Sequence, residues 1–153
     1  MTKQTGPELT LDSQLCFSLY AASRAVTALY RPMLDELGLT YPQYLVLLVL
    51  WERGPVSVKE LGDALHLDSG TLSPLLKRME SASLLRRRRS EEDERSVLVE
   101  PTETGRDLRA RALGIPERLT CGMGLPLDEL TELHTRLRRL NDSMTAVRQK
   151  EGQ

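Results

Sequence analysis

Two cysteines and two histidines in 153 residues are too few for a disulfide-stapled extracellular domain. Cys16, Cys121, His66 and His134 also lack any paired-ligand spacing, so neither a metal site nor a cofactor is assigned. An excess of one charge is missing as well. The 21 basic and 22 acidic residues give a net charge of −1, which carries no bulk signal for nucleic acid or membrane. The longest apolar run, YLVLLVLW at residues 44–51, falls far short of the roughly 20 residues a bilayer span requires. The opening MTKQTGPELTLD has no apolar signal region, so the chain is expected in the cytoplasm, where any disulfide would be transient and regulatory. Internal repeats and low-complexity tracts are absent. What is present, 40% hydrophobic and 28% charged residues, suits one globular domain or one subunit of an intertwined oligomer.

Leu15, Leu19, Ala22, Val26, Leu29, Met33 and Leu37 recur at helical spacing. They predict a long first helix, capped by Asp12 or Ser13, kinked or interrupted at Pro32 and ended by Gly38. A second helix is predicted from Tyr41-Pro42 to Arg53, and a short third behind Ser57, with Glu60 completing a capping box. After the turn HLD, a fourth runs from Ser69 to about Ala82. LLRRRR and RSVLVEP flank the acidic turn SEEDE and read as a two-stranded hairpin. Thr102 caps a further helix that ends near Gly114 or breaks at Pro116. GIPERLTCGMGLP reads as a mobile connection, and Asp128 opens a last helix with Leu130, Leu133, Leu137 and Leu140 on one face.

Two short helices joined by a three-residue turn, followed by a basic hairpin, give a mainly α chain in winged helix-turn-helix order. In the fourth helix Leu72, Leu75, Leu76 and Met79 form the packed face. Ser69, Thr71 and Ser73 are small polar groups able to approach base edges, and Gly70 lets backbone come close. Lys77 and Arg78 can reach phosphates. Arg86 to Arg89 concentrate charge on one strand of the wing, and Arg95 sits beyond Asp93 at its tip, the shape that enters a minor groove. The neighbouring acids would repel phosphates unless Asp93 and a neighbour hold the arginines in place. The DNA-contact set is therefore Ser57, Asp68, Ser69, Gly70, Thr71, Ser73, Lys77, Arg78, Arg88, Asp93 and Arg95.

The stretch LGDALHLDSGTLSPLLKRMESASLLRRRRSEEDERSVLVEPTETG resembles the MarR family of bacterial regulators, through the Asp93-x-Arg95 wing, the hydrophobic strand after it and the TETG helix start. That resemblance implies a homodimer held by residues 1–40 and 102–153. Residues 41–101 would form the winged helix-turn-helix that places recognition helices in successive major grooves of a pseudo-palindromic operator in double-stranded DNA. Two departures stand out. Ser83 replaces a helix-ending glycine, and Pro101 replaces a leucine and should shorten the second wing strand.

Cys16 lies about one turn into the first helix, where free N–H groups and the helix dipole favour a thiolate, the form that attacks a peroxide. The plainer reading is a small apolar filler. Tyr20 and Tyr30 share nearly the same stripe, and Tyr41 opens the second helix. Tyr30 is roughly 21 Å up the helix at 1.5 Å per residue, so it cannot touch Cys16 of its own chain. In a two-fold dimer with antiparallel first helices, it could meet the partner's thiol.

LCFSLYAASR with Tyr30 and Tyr41 at these spacings resembles the organic hydroperoxide resistance regulators within the MarR family. The resemblance implies that Cys16 senses organic hydroperoxide and that Tyr30 and Tyr41, from the other subunit, hydrogen-bond to it. It also makes Cys121 the resolving thiol of an intersubunit disulfide. The effector would enter an apolar pocket near Phe17, Leu45 and Trp51, and oxidation would release DNA. One rival reading is a regulator released by a phenolic or lipophilic small molecule, with incidental cysteines. A thiol peroxidase is the other, but it lacks a thioredoxin-like frame and leaves the wing unexplained, so no catalytic residue is assigned.

Overall fold

The computed structural model describes residues 9–151. Its contacts cluster into two units, residues 1–115 and 116–153. In the first, a short 3-10 turn (Leu11–Ser13) precedes helix α1 (Leu15–Asp35). The helix therefore starts later than Asp12 or Ser13 would have it, with Gln14 at the N-cap and no side-chain cap. Pro32 removes one N–H from the helical ladder, yet α1 runs on to Asp35. Gly38, at φ +67, closes the helix as Leu39 N–H donates to the Leu34 carbonyl and Gly38 N–H to that of Asp35.

Helix α2 (Tyr41–Arg53) begins at a capping box of Thr40 and Gln43, with Pro42 in its first turn. It buries Tyr44, Val46, Leu47, Val49 and Leu50 and so runs through the centre of the unit. Strand β1 (Val56–Ser57) leads into α3 (Val58–Leu65), capped reciprocally by Ser57 and Glu60. The turn to α4 (Ser69–Ser81) is tight. A Cβ on Gly62 would lie 2.9 Å from the Leu67 carbonyl, and His66 takes the left-handed conformation at φ 54. Strands β2 (Leu85–Arg89) and β3 (Val97–Pro101) form the wing. It is a three-stranded antiparallel sheet in the order β1-β3-β2 where the sequence predicts two strands, because Val56 and Ser57 pair with Val99 and Leu98.

Strand β3 keeps its full length through Pro101, against the predicted shortening. Thr102 N–H donates to the Leu84 carbonyl, so the adjacent Leu85–Pro101 pair is the non-hydrogen-bonded kind. The missing N–H of Pro101 faces the other side, where β1 has already ended. Helix α5 (Glu103–Ala112) follows, capped by Thr102. The most deeply buried side chains are Val46, Leu47, Leu50, Leu61, Leu72, Leu76, Met79, Leu85 and Val99. They come from α2, α3, α4 and the wing, and each leucine contributes on the order of 1.5–3 kcal/mol by leaving water.

Helix α6 (Ile115–Met123) spans the boundary between the units, and α7 (Leu127–Glu151) makes up most of the second. The predicted mobile connection is thus largely helical, with its break at Gly124, φ +70. Leu130, Leu133, Leu137, Leu140, Met144 and Val147 recur along α7 at alternating spacings of three and four, and none of them is buried. No helix among the described residues is long and apolar enough to cross a membrane.

Candidate nucleic-acid interface and thiol site

The first turn of α4 is presented by Asp68, whose carboxylate accepts from Thr71 N–H at 2.7 Å. Hydrogen bonding to Thr71 lowers the Asp68 pKa, and the acid is thereby committed as a cap. Ser57 caps α3 in the same way, accepting from Glu60 N–H at 3.1 Å. Ser69, Gly70, Thr71, Ser73, Lys77 and Arg78 are all exposed, while Leu72, Leu75, Leu76 and Met79 are buried beneath them. At Gly70 a Cβ would meet nothing closer than 3.8 Å, so the fold itself does not require glycine there.

The wing tip is built by two short side chains. Ser90 Oγ accepts from the N–H groups of Glu92 and Asp93, and Asp93 Oδ1 accepts from Arg95 N–H at 3.0 Å. Asp93 thus orients Arg95 through its backbone, and no carboxylate among the described residues ion-pairs with the Arg95 guanidinium. A cleft of about 450 Å³ between α3, α4 and the wing brings together Ser57, Lys59, Ser73, Asp93 and Arg95. Lys77, Arg78 and Arg88 lie outside its lining.

The four consecutive arginines divide by strand alternation. Arg86 and Arg88 point to the face that carries Glu100 and both ion-pair with it, Arg88 at 3.5 Å. Arg87 instead reaches Glu80 on α4, donating from its backbone at 3.0 Å and from its guanidinium at 3.1 and 2.9 Å. These bonds, the backbone one foremost, hold the Glu80 carboxyl below its ordinary range. Glu80 and Glu100 are thus the wing's internal anchors. Sequence reading passes over both because their partners lie seven or more residues away.

Cys16 occupies the second position of α1 and is exposed, and Cys121 lies in α6, also exposed. The Tyr20 ring lies 5.5 Å from the Arg24 guanidinium carbon. Tyr30 and Tyr41 do come together, with ring centroids 4.7 Å apart. Burial pushes the Tyr30 phenol far above its ordinary range, and the nearby Tyr41 and Tyr44 oxygens add to the rise. Burial also raises Tyr41 and Tyr44, so all three phenols keep their protons and remain donors at neutral pH. Tyr44, 5.7 Å from Tyr30, is not singled out by the sequence, although it stands one turn after Tyr41. Trp51, expected with Phe17 and Leu45 near the effector, also borders a cleft. The cleft it lines, about 440 Å³, lies at the base of the wing with Leu50, Pro55, Pro101, Arg106 and Arg109.

Residues 28–111 match the family model of the transcriptional regulators SarA/Rot. The chain belongs to the MarR/SarA family of transcriptional regulators. A MarR/SarA protein is a DNA-binding regulator and not an enzyme. The chain is 57% identical over 108 residues to the organic hydroperoxide resistance transcriptional regulator of Bacillus subtilis, covering 71% of this chain and 74% of that one. It is 48% identical over 145 residues to the HTH-type transcriptional regulator TtmR of Methylorubrum extorquens, covering 94% and 74%. Among solved structures, reduced AbfR bound to DNA superposes with a TM-score of 0.71 at 35% identity, covering 88% of this chain and 93% of that one. AbfR, from Staphylococcus epidermidis, has also been solved in a disulfide form and, over-oxidised, bound to DNA. The MarR/SarA fold accounts for the winged helix-turn-helix geometry described above.

Proposed function

We propose that this regulator is a peroxide-sensing repressor that acts in the cytoplasm as a homodimer. Residues 41–101 of each subunit bind one half of a pseudo-palindromic operator. Residues 1–40 and 102–153 hold the dimer, and of these, residues 1–8 and 152–153 lie outside the described residues. The reading is carried by one pairing: an exposed Cys16 at the start of α1 and a half-buried, protonated Tyr30–Tyr41 pair whose rings lie 4.7 Å apart. Similarity to the Bacillus subtilis hydroperoxide resistance regulator points the same way. Dimerisation is supported by the uncovered apolar stripe of α7 and by Leu15, 65% exposed on α1. With the first helices crossing antiparallel, the tyrosine pair of each subunit donates to Cys16 of the other.

The Cys16 thiolate attacks the distal oxygen of an organic hydroperoxide. A sulfur–oxygen bond forms as the oxygen–oxygen bond breaks, and the alkoxide takes a proton and leaves as an alcohol. The Cys121 thiol then attacks the sulfenic sulfur, a disulfide forms and water departs. Cellular thiols reverse the oxidation by exchange. A disulfide needs its Cα atoms within about 7 Å, so closure draws α6 and α1 of different subunits into one fixed spacing. DNA release follows from that change in the separation of the two α4 helices. Because AbfR has been solved over-oxidised and bound to DNA, the disulfide is the releasing form in this proposal.

The test is a gel shift on the promoter region beside the gene, with and without an organic hydroperoxide. Cys16→Ser should bind the operator like the parent protein and retain it at peroxide concentrations that strip the parent. Release of that variant by peroxide would instead favour a regulator with incidental cysteines.

A further inference from the structure

The aromatic cluster does not stop at the tyrosine pair. Tyr44 and Trp51 stand seven residues, or two turns, apart on one face of α2, and their rings meet edge to face at 6.3 Å. The Trp51 indole N–H then leaves the helix and donates to the Gly105 carbonyl in the first turn of α5, at 2.9 Å. That first turn grips the exit of the recognition helix. A Cβ at Gly105 would lie 2.1 Å from the Leu84 carbonyl oxygen, so only glycine permits the approach. Thr102 completes the grip, donating from its hydroxyl to the Ser83 carbonyl at 2.5 Å and from its N–H to the Leu84 carbonyl at 3.2 Å. Ser83 and Leu84 are the residues that follow α4 through its closing turn.

We infer that Trp51 is a positioning residue, coupling the Tyr30–Tyr41 pair to the DNA-reading helix through Tyr44, Gly105 and the Ser83–Leu84 turn. Every link is a ring contact, a hydrogen bond or a backbone contact of closed geometry, so a repacking of the tyrosines cannot leave α5 and α4 where they were. The inference rests on the proposed peroxide switch and adds the path by which the thiol's state reaches DNA. Trp51 touches neither thiol nor operator.

Trp51 is the only tryptophan of the chain, so its fluorescence reports on this link directly. Peroxide should change its emission with the time course of operator release, and Cys16→Ser should show neither change. Trp51→Phe keeps a ring against Tyr44 and removes the N–H donor. It should form the Cys16–Cys121 disulfide at the parent rate and bind the operator when reduced. The ratio of oxidised to reduced Kd should fall by about threefold to tenfold, as loss of one hydrogen bond allows. Replacing Trp51 with benzothienylalanine, which keeps the bicycle and lacks the N–H, should behave alike and controls for packing. Release by both variants equal to the parent overturns the inference, as does release by the parent with unchanged emission. A parent protein that keeps its operator after the disulfide forms sinks the peroxide reading itself, and this one with it.

Discussion

Tyr30, with its ring between those of Tyr41 and Tyr44, holds its proton far above the 10.0 ordinary for a phenol. A folded-state pKa above the unfolded one means that the native state binds more protons in alkali. The stability this provides is therefore complete below pH 10 and is lost as pH rises toward the folded value. Urea unfolding between pH 8 and 11 should show stability falling above about pH 10, with a shallower fall in Tyr30→Phe. Ser83 presents a different residue-scale cost. At φ 59 it sits in the left-handed region that glycine tolerates best, while Leu84 N–H donates to the Met79 carbonyl across it. The sequence flags this position, and the structure shows the turn closing in the glycine geometry without glycine. Ser83→Gly is expected to raise unfolding stability by about 1 kcal/mol with DNA affinity unchanged, measured by urea denaturation and gel shift.

Helix α4 illustrates which elements are legible in sequence. Its inner face is marked by four apolar residues at helical spacing, a local signal, whereas Asp68, expected only as a DNA contact, proves to be its cap. β1 is not legible because two residues carry no period. They become a strand only by pairing with Leu98 and Val99 of β3, some 40 positions further along the chain. α6 is hidden by glycines and prolines whose positions at its two ends read as loop composition. Of the candidate thiol site, Cys16, Tyr30 and Tyr41 are singled out through a family resemblance carried by local sequence, whereas the Tyr44–Trp51–Gly105 connection depends on how α2 meets α5, 54 residues away in the chain. The surplus glycine of α4 makes a sharper test of its role. Gly62 and Gly105 are required by backbone lying within 3 Å of a would-be Cβ, but Gly70 is not. Gly70→Ala should leave thermal stability unchanged or higher while weakening operator binding, which would place the reason for the glycine in the DNA. Unchanged affinity would mean the first turn of α4 does not approach the groove closely.

For the whole molecule, the near-balance of charge noted at the start bears on how the protein meets a polyanion. Binding to DNA displaces condensed cations, and each phosphate neutralised contributes about −0.9 to the slope of log affinity against log salt. Four arginines in a row suggest a steep dependence. Yet Arg86 and Arg88 already share Glu100, and Arg87 is bound to Glu80, which leaves Arg89 and Arg95 without an ion-pair partner among the described residues. The wing should accordingly release fewer cations than its arginines number. Glu100→Gln should steepen the salt slope and tighten binding at low ionic strength, read by fluorescence anisotropy across a salt series, and an unchanged slope would show that Arg86 and Arg88 stay clear of phosphate. In those terms the internal acids of the wing act as resident counterions. On the outcome expected for Glu100→Gln, they would hold down affinity for arbitrary DNA and leave the choice of site to groups outside these ion pairs.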